Sequence, residues 1–187
     1  VVLVLCCAIG GTLAWLTDKT DEVKNTFSPS DINITLTETP NTDTDNDGKA
    51  DAWKADMIPG FSYTKNPVVT VEDDSVDCYL FVKFEENGNP STYLTYASTL
   101  TAANGWTQGD GTSIPSNVWY RVVKAGDTTK SWNLLDGNTI AVKDTVTKDN
   151  MADAAKAELV YTAYATQLYK SNGVEFTAAK AWANALA

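Results

Sequence analysis

In residues 31–37 every second side chain is apolar. Ile32, Ile34 and Leu36 fall on one face, and Asn33, Thr35 and Thr37 on the other. A repeat of two belongs to an extended chain, whose successive side chains point to opposite faces, so this stretch reads as a half-buried strand. The signal recurs. Residues 67–72 put Val69 and Val71 on one face, and residues 77–85 put Cys78, Leu80, Val82 and Phe84 on one face. Residues 118–124 (VWYRVVK) and 139–147 (TIAVKDTVT) are rich in the β-branched and aromatic side chains that suit a pleated surface. Turn residues punctuate these runs: Asn87-Gly88-Asn89-Pro90 ends one, and Asp136-Gly137-Asn138 precedes another. Residues 159–167 (LVYTAYATQ) carry Tyr and Val on both faces, the pattern of a strand in the interior of a sheet. The stretch 91–116 is Thr- and Gly-rich and reads as loops with one short element at most.

Helical signals are confined to the last forty or so residues. Asp149 is placed to cap a helix over 150–158, and Thr177 to cap one over 178–186, with Ala, Trp182 and Leu186 on its inner stripe. Many short strands, turn signals between them and few helices predict an all-β sandwich with one or two short helices near the C-terminus. The 187 residues fit one such domain, over 31–187, and no internal repeat or long linker divides it.

Charge narrows the function. The chain has 14 basic and 24 acidic side chains and no histidine, hence a net charge of 14 − 24 = −10. Nucleic-acid binding needs clustered Lys and Arg to neutralise phosphates, and anionic membranes attract the same residues. The balance here argues against both. The missing histidine removes Ser-His-Asp and Cys-His nucleophiles and every His-containing zinc site, HExxH included.

The first fourteen residues, VVLVLCCAIGGTLA, are uncharged and apolar and end in small residues. That is the apolar region and cleavage region of an export signal, too short to span a bilayer. The run lacks Met and a basic start, so the sequence reads as truncated there, with cleavage expected after Ala14 and no membrane span afterwards. Leu5 before Cys6 is too large for a lipid-attachment signal. With 1–14 removed, Cys78 stands alone and reads as a small buried hydrophobe. Residues 15–30 form a polar arm in which Trp15, Leu16, Val23 and Phe27 are apolar.

Four segments together resemble a known family. They are Gly10-Gly11-Thr12-Leu13-Ala14-Trp15-Leu16-Thr17-Asp18 with Asn25-Thr26-Phe27 and the strand 31–38; Met57-Ile58-Pro59-Gly60 with 65–71; Asp77-Cys78-Tyr79-Leu80-Phe81-Val82-Lys83; and 162–167 with the closing 178–186. Their order is similar to that of the TasA/camelysin family, proteins exported by Gram-positive bacteria and cut by a signal peptidase of the SipW type. The resemblance implies a jelly-roll-like β-sandwich and a subunit that polymerises into extracellular matrix or cell-surface fibres. Polymerisation in that family resembles donor-strand addition, in which an N-terminal segment completes a neighbour's sheet. Here the arm 15–30 would be that segment, with Trp15, Leu16, Val23 and Phe27 filling pockets of another copy. An extended segment adds to a sheet edge through backbone hydrogen bonds, and a head-to-tail contact propagates unless it closes. The same arm folded onto its own sheet gives instead a monomeric surface adhesin or binding module. Camelysin-like members are described as metallopeptidases, an activity that the absence of histidine opposes; the expectation is a protein that is not an enzyme.

One constellation carries metal chemistry. Asp43-Thr44-Asp45-Asn46-Asp47-Gly48-Lys49-Ala50-Asp51 fits D-x-[DN]-x-[DN]-G. Carboxylates at alternate positions converge on a hard cation while the glycine permits the sharp turn. Asp43, Asp45 and Asp47 would give side-chain oxygens, Lys49 its carbonyl, and Asp51 a direct or water-bridged contact to Ca2+. The final EF-hand position falls on Lys54, so the loop is not an EF-hand. A solvated acidic turn has the same composition. Binding to the folded state alone raises its stability. Calcium is therefore expected to raise the melting temperature, and an Asp45→Ala/Asp47→Ala variant to lose that rise in a thermal melt.

Overall fold

The computed structural model describes residues 31–38, 56–171 and 173–187. The export signal 1–14, the arm 15–30 and the acidic loop 43–51 lie outside the described residues.

The chain builds an all-β sandwich with short helices. One sheet has the order β1-β3-β8, from Ile34–Thr37 (β1), Val68–Val71 (β3) and Ser131–Asn133 (β8). The facing sheet has the order β10-β4-β7-β6, from Glu158–Gln167 (β10), Cys78–Asn87 (β4), Val118–Val123 (β7) and Thr107–Gln108 (β6). A small sheet of order β2-β9-β5 joins Ser62–Thr64 (β2), Thr139–Val142 (β9) and Leu94–Thr95 (β5). Tyr169–Ser171 (β11) pairs with Val174–Glu175 (β12). Every pairing is antiparallel. Consecutive strands repeatedly change sheets, the kind of winding a jelly roll uses.

β4 lies at the centre. Cys78, Leu80 and Val82 face the first sheet and share a core with Val69, Val71, Leu100, Trp106, Val123 and Leu134. Tyr79 and Phe81 face the other way, against Ala181 and Trp182 of the helix Ala178–Ala185 and against Leu168. Residues 78–82 are all buried, so β4 reads as a continuous apolar run rather than as an alternation with one wet face. A third cluster, with Leu94, Ile140, Val142 and Val146, lies under the small sheet.

Several element ends differ from the sequence expectation. The helix expected over 150–158 is one turn, Met151–Ala154, because β10 claims Glu158 for the sheet; Asn150 rather than Asp149 holds its N-cap position, with no side-chain cap hydrogen bond. The strand expected over 139–147 stops at Val142, and Val146 reaches the core from a turn. Residues 91–116 hold more than loops: a helical turn at Pro90–Tyr93, the strands β5 and β6, and a 3-10 turn at Ala102–Asn104. The C-terminal helix begins as expected, with Thr177 Oγ1 accepting the Lys180 N–H at 3.3 Å. Trp182 is buried, but Leu186 follows the helix and is 57% exposed.

Phe81 has no exposed surface and meets Trp182 at 5.2 Å and Tyr120 at 5.7 Å between ring centroids. Truncating a buried aromatic leaves a cavity that close-packed neighbours fill poorly. Phe81→Ala is expected to lower stability by about 3–5 kcal/mol in denaturant unfolding.

Candidate functional site

Ten residues in sequence, ELVYTAYATQ, form β10 because β-branched and aromatic side chains dominate them. Two hydrogen bonds at the sheet's ends fix which way the backbone of this strand points. The Phe84 N–H donates to the Asn117 carbonyl, and the Leu168 N–H to the Asp77 carbonyl, each at 2.9 Å. In an antiparallel pair, opposed residues alternate between those that exchange hydrogen bonds and those whose polar groups face away. Phe84, Val82, Leu80 and Cys78 therefore direct N–H and C=O toward β7. The odd-numbered residues of β4 turn to β10, where Thr166, Tyr164, Thr162 and Val160 oppose them. Leu159, Tyr161, Ala163, Ala165 and Gln167 are left with N–H and C=O on the outer side of β10. Among the described residues no strand pairs there.

The same odd-numbered side chains face into the sandwich. Tyr161 stacks on Phe84 at 4.8 Å, and Ala163 packs against the core shared by the two sheets. The Tyr161 hydroxyl is buried and has no hydrogen-bond partner among the described residues. Burial, with the charges of Glu38 and Glu86 behind it, pushes its phenol well above the usual range. β1 approaches β10 along this side. The Glu72 N–H donates to the Asn33 carbonyl at 2.8 Å, so by the same alternation Ile34 and Leu36 turn their polar groups away from β3. Two edges, unpaired among the described residues, thus frame one side of the sandwich.

Long edge strands usually carry a lysine, a proline or a bulge that discourages pairing with another chain. Residues 159–166 contain no charge and no proline, and the ladder to β4 runs through β10 without a register shift. The edges on the far side are short: β6 has two residues and β8 three. β10 was expected in the interior of a sheet, since both its faces are apolar. Among the described residues it is an edge, with β4 in the interior place. The outward-facing residues were thus missed in sequence, although the uncharged run that marks them was visible.

No family model, curated protein or solved structure matches the chain.

The residues expected in the assembly contact, Trp15, Leu16, Val23 and Phe27, lie outside the described residues, as do the calcium candidates Asp43, Asp45, Asp47, Lys49 and Asp51. Among the described residues no group of three or more Asp, Glu or Cys side chains is arranged to hold a metal. Neighbouring acids are drawn to separate partners. Asp73 meets Lys130 at 3.3 Å while Asp74 accepts from Asn33 at 3.1 Å. Glu85 meets Lys83 at 2.8 Å while Glu86 accepts from the Tyr96 hydroxyl. Cys78 is buried, and desolvation, helped by Asp77, pushes its thiol up to about 11. No helix among the described residues is long and apolar enough to cross a membrane.

Asp77 ties the end of β10 to its neighbours. Its carbonyl accepts from Leu168, its Oδ1 accepts from the Ala125 N–H at 2.8 Å, and its Oδ2 accepts from the Tyr169 hydroxyl at 3.3 Å. Lys124 Nζ lies 3.5 Å from Oδ2 and donates to Tyr169 at 2.9 Å. The Ala125 N–H, then Lys124, holds the carboxyl below its usual range. A carboxyl with a lowered folded pKa stabilises fully above its unfolded pKa, about 3.9, and loses that contribution as pH falls through the folded value. Stability is expected to fall over that acid window, and Asp77→Asn to flatten the fall in melts taken across it.

Proposed function

We propose that the chain is a secreted structural subunit that assembles with copies of itself, the outer edge of β10 receiving an extended segment from an adjoining molecule. One observation carries this reading. β10 has the sequence of an interior strand and, among the described residues, the position of an edge. Pairing a further strand there would satisfy the backbone groups of Leu159, Tyr161, Ala163, Ala165 and Gln167. Ala163 and Ala165 are small, which favours a larger side chain arriving beside them from the added strand.

The arm 15–30 is the segment of this chain suited to that role. Trp15, Val23 and Phe27 are all odd-numbered, so in an extended arm they share one face. A contact between one molecule's arm and another's β10 edge is heterologous and builds a filament. Calcium held by the loop 43–51 would stabilise the subunit without chemistry of its own.

Chain beginning at Trp15 is expected to form filaments, read by light scattering and electron microscopy. Deleting 15–27 should abolish them with the melting transition retained. Ala165→Pro removes an outward N–H and leaves the hydrogen bonds to β4, so it should weaken assembly much as the deletion does. Filaments unaltered by the deletion would defeat strand donation by the arm, and a chain monomeric throughout would be a binding module.

A further inference from the structure

The side of the sandwich opposite β1 and β10 is closed by the chain's single arginine. Arg121 lies on β7 opposite Leu80, on the face turned to the first sheet. Its guanidinium carbon is 4.2 Å from the ring centre of Trp132 on β8 and 5.0 Å from that of Trp106, just before β6. The two rings meet edge to face, at 75° to each other, so they enclose the guanidinium from two directions and leave its N–H donors, which lie in its plane, to find acceptors elsewhere.

Few acceptors meet those donors. Nη1 reaches the Asn104 carbonyl only at 3.5 Å, and Nε is buried with no partner among the described residues. Lys65, Lys83, Lys124, Lys130 and Lys156 all stand beside carboxylates, and among the described residues Arg121 does not. Among the described residues the lone planar fork, the cation best shaped for a carboxylate or phosphate, makes no ion pair, and the charge of Asp127 reaches it without a salt bridge. Gly105 keeps space at its tip. A Cβ there would stand 3.1 Å from Nη2, and the backbone has φ +78°, which disfavours any other residue.

We propose that Arg121 is an oxyanion site, its Nη edge beside Asn104 and Gly105 taking a carboxylate or phosphate group while Trp106 and Trp132 confine the guanidinium from two sides. The site is independent of the β10 edge and of assembly. Packing between the two indoles restrains the fork before the ligand arrives, which reduces the ordering cost of binding.

The full chain is titrated with inorganic phosphate and, separately, with acetate, each against chloride at matched ionic strength. Tryptophan fluorescence reads the flanking indoles. A saturable change with either anion beyond the chloride response is expected, and the anion that gives it names the source of the oxyanion. Arg121→Met should abolish the change, and Arg121→Lys should weaken it by losing the fork. Gly105→Ala keeps the arginine and should also weaken it, so the test survives if Arg121→Met does not fold. Responses to both anions equal to chloride, or a saturable change that persists in Arg121→Met, would overturn the proposal.

Discussion

A strand buried on both faces and hydrogen-bonded on both sides organises this molecule. β4 meets the first sheet through Cys78, Leu80 and Val82, and the C-terminal helix through Tyr79 and Phe81. Its ladders hold β10 on one side and β7 on the other. Because a shift of one residue would exchange the two buried faces, the register of β4 is strongly specified. The alternation of backbone groups follows from that register and sets the direction of every N–H in β10.

The two sides of the sandwich are treated differently. On one, β6 and β8 are short and Arg121 reaches across between the sheets, its guanidinium over the rings of Trp106 and Trp132. On the other, β10 runs ten residues with an outer row of polar groups unpaired among the described residues. Exposed edges of that length and apolarity are the usual templates for pairing with another chain. Among the described residues the asymmetry leaves one long edge, and the proposed head-to-tail assembly rests on it.

Much of the fold is legible in the sequence, because a repeat of two survives wherever one face of a strand is wet. Residues 31–37 and 67–72 show it, and their strands form where the pattern places them. The pattern fails where both faces are buried. In 77–85 the alternation of Cys78, Leu80 and Val82 was apparent, but Tyr79 and Phe81 between them mark a second core beneath the C-terminal helix. Helix propensity fails similarly at 150–158, where pairing of Glu158 with Asn87 begins β10 and leaves one helical turn. Short strands such as β5 and β6 carry too few residues for any period and exist only through their partners.

By itself the sequence determined an all-β sandwich, through alternation and turn residues, and made histidine chemistry impossible by omission. It also placed an uncharged, two-faced strand at 159–167. Tertiary structure alone decided that this strand stands at a border among the described residues and that β4 takes the interior. It likewise brought Arg121 between two tryptophans 15 and 11 positions away in the chain. The reason is that periodicity records which faces of a segment are buried, whereas neighbours across a sheet or between sheets are set by long-range pairing, which leaves no local trace.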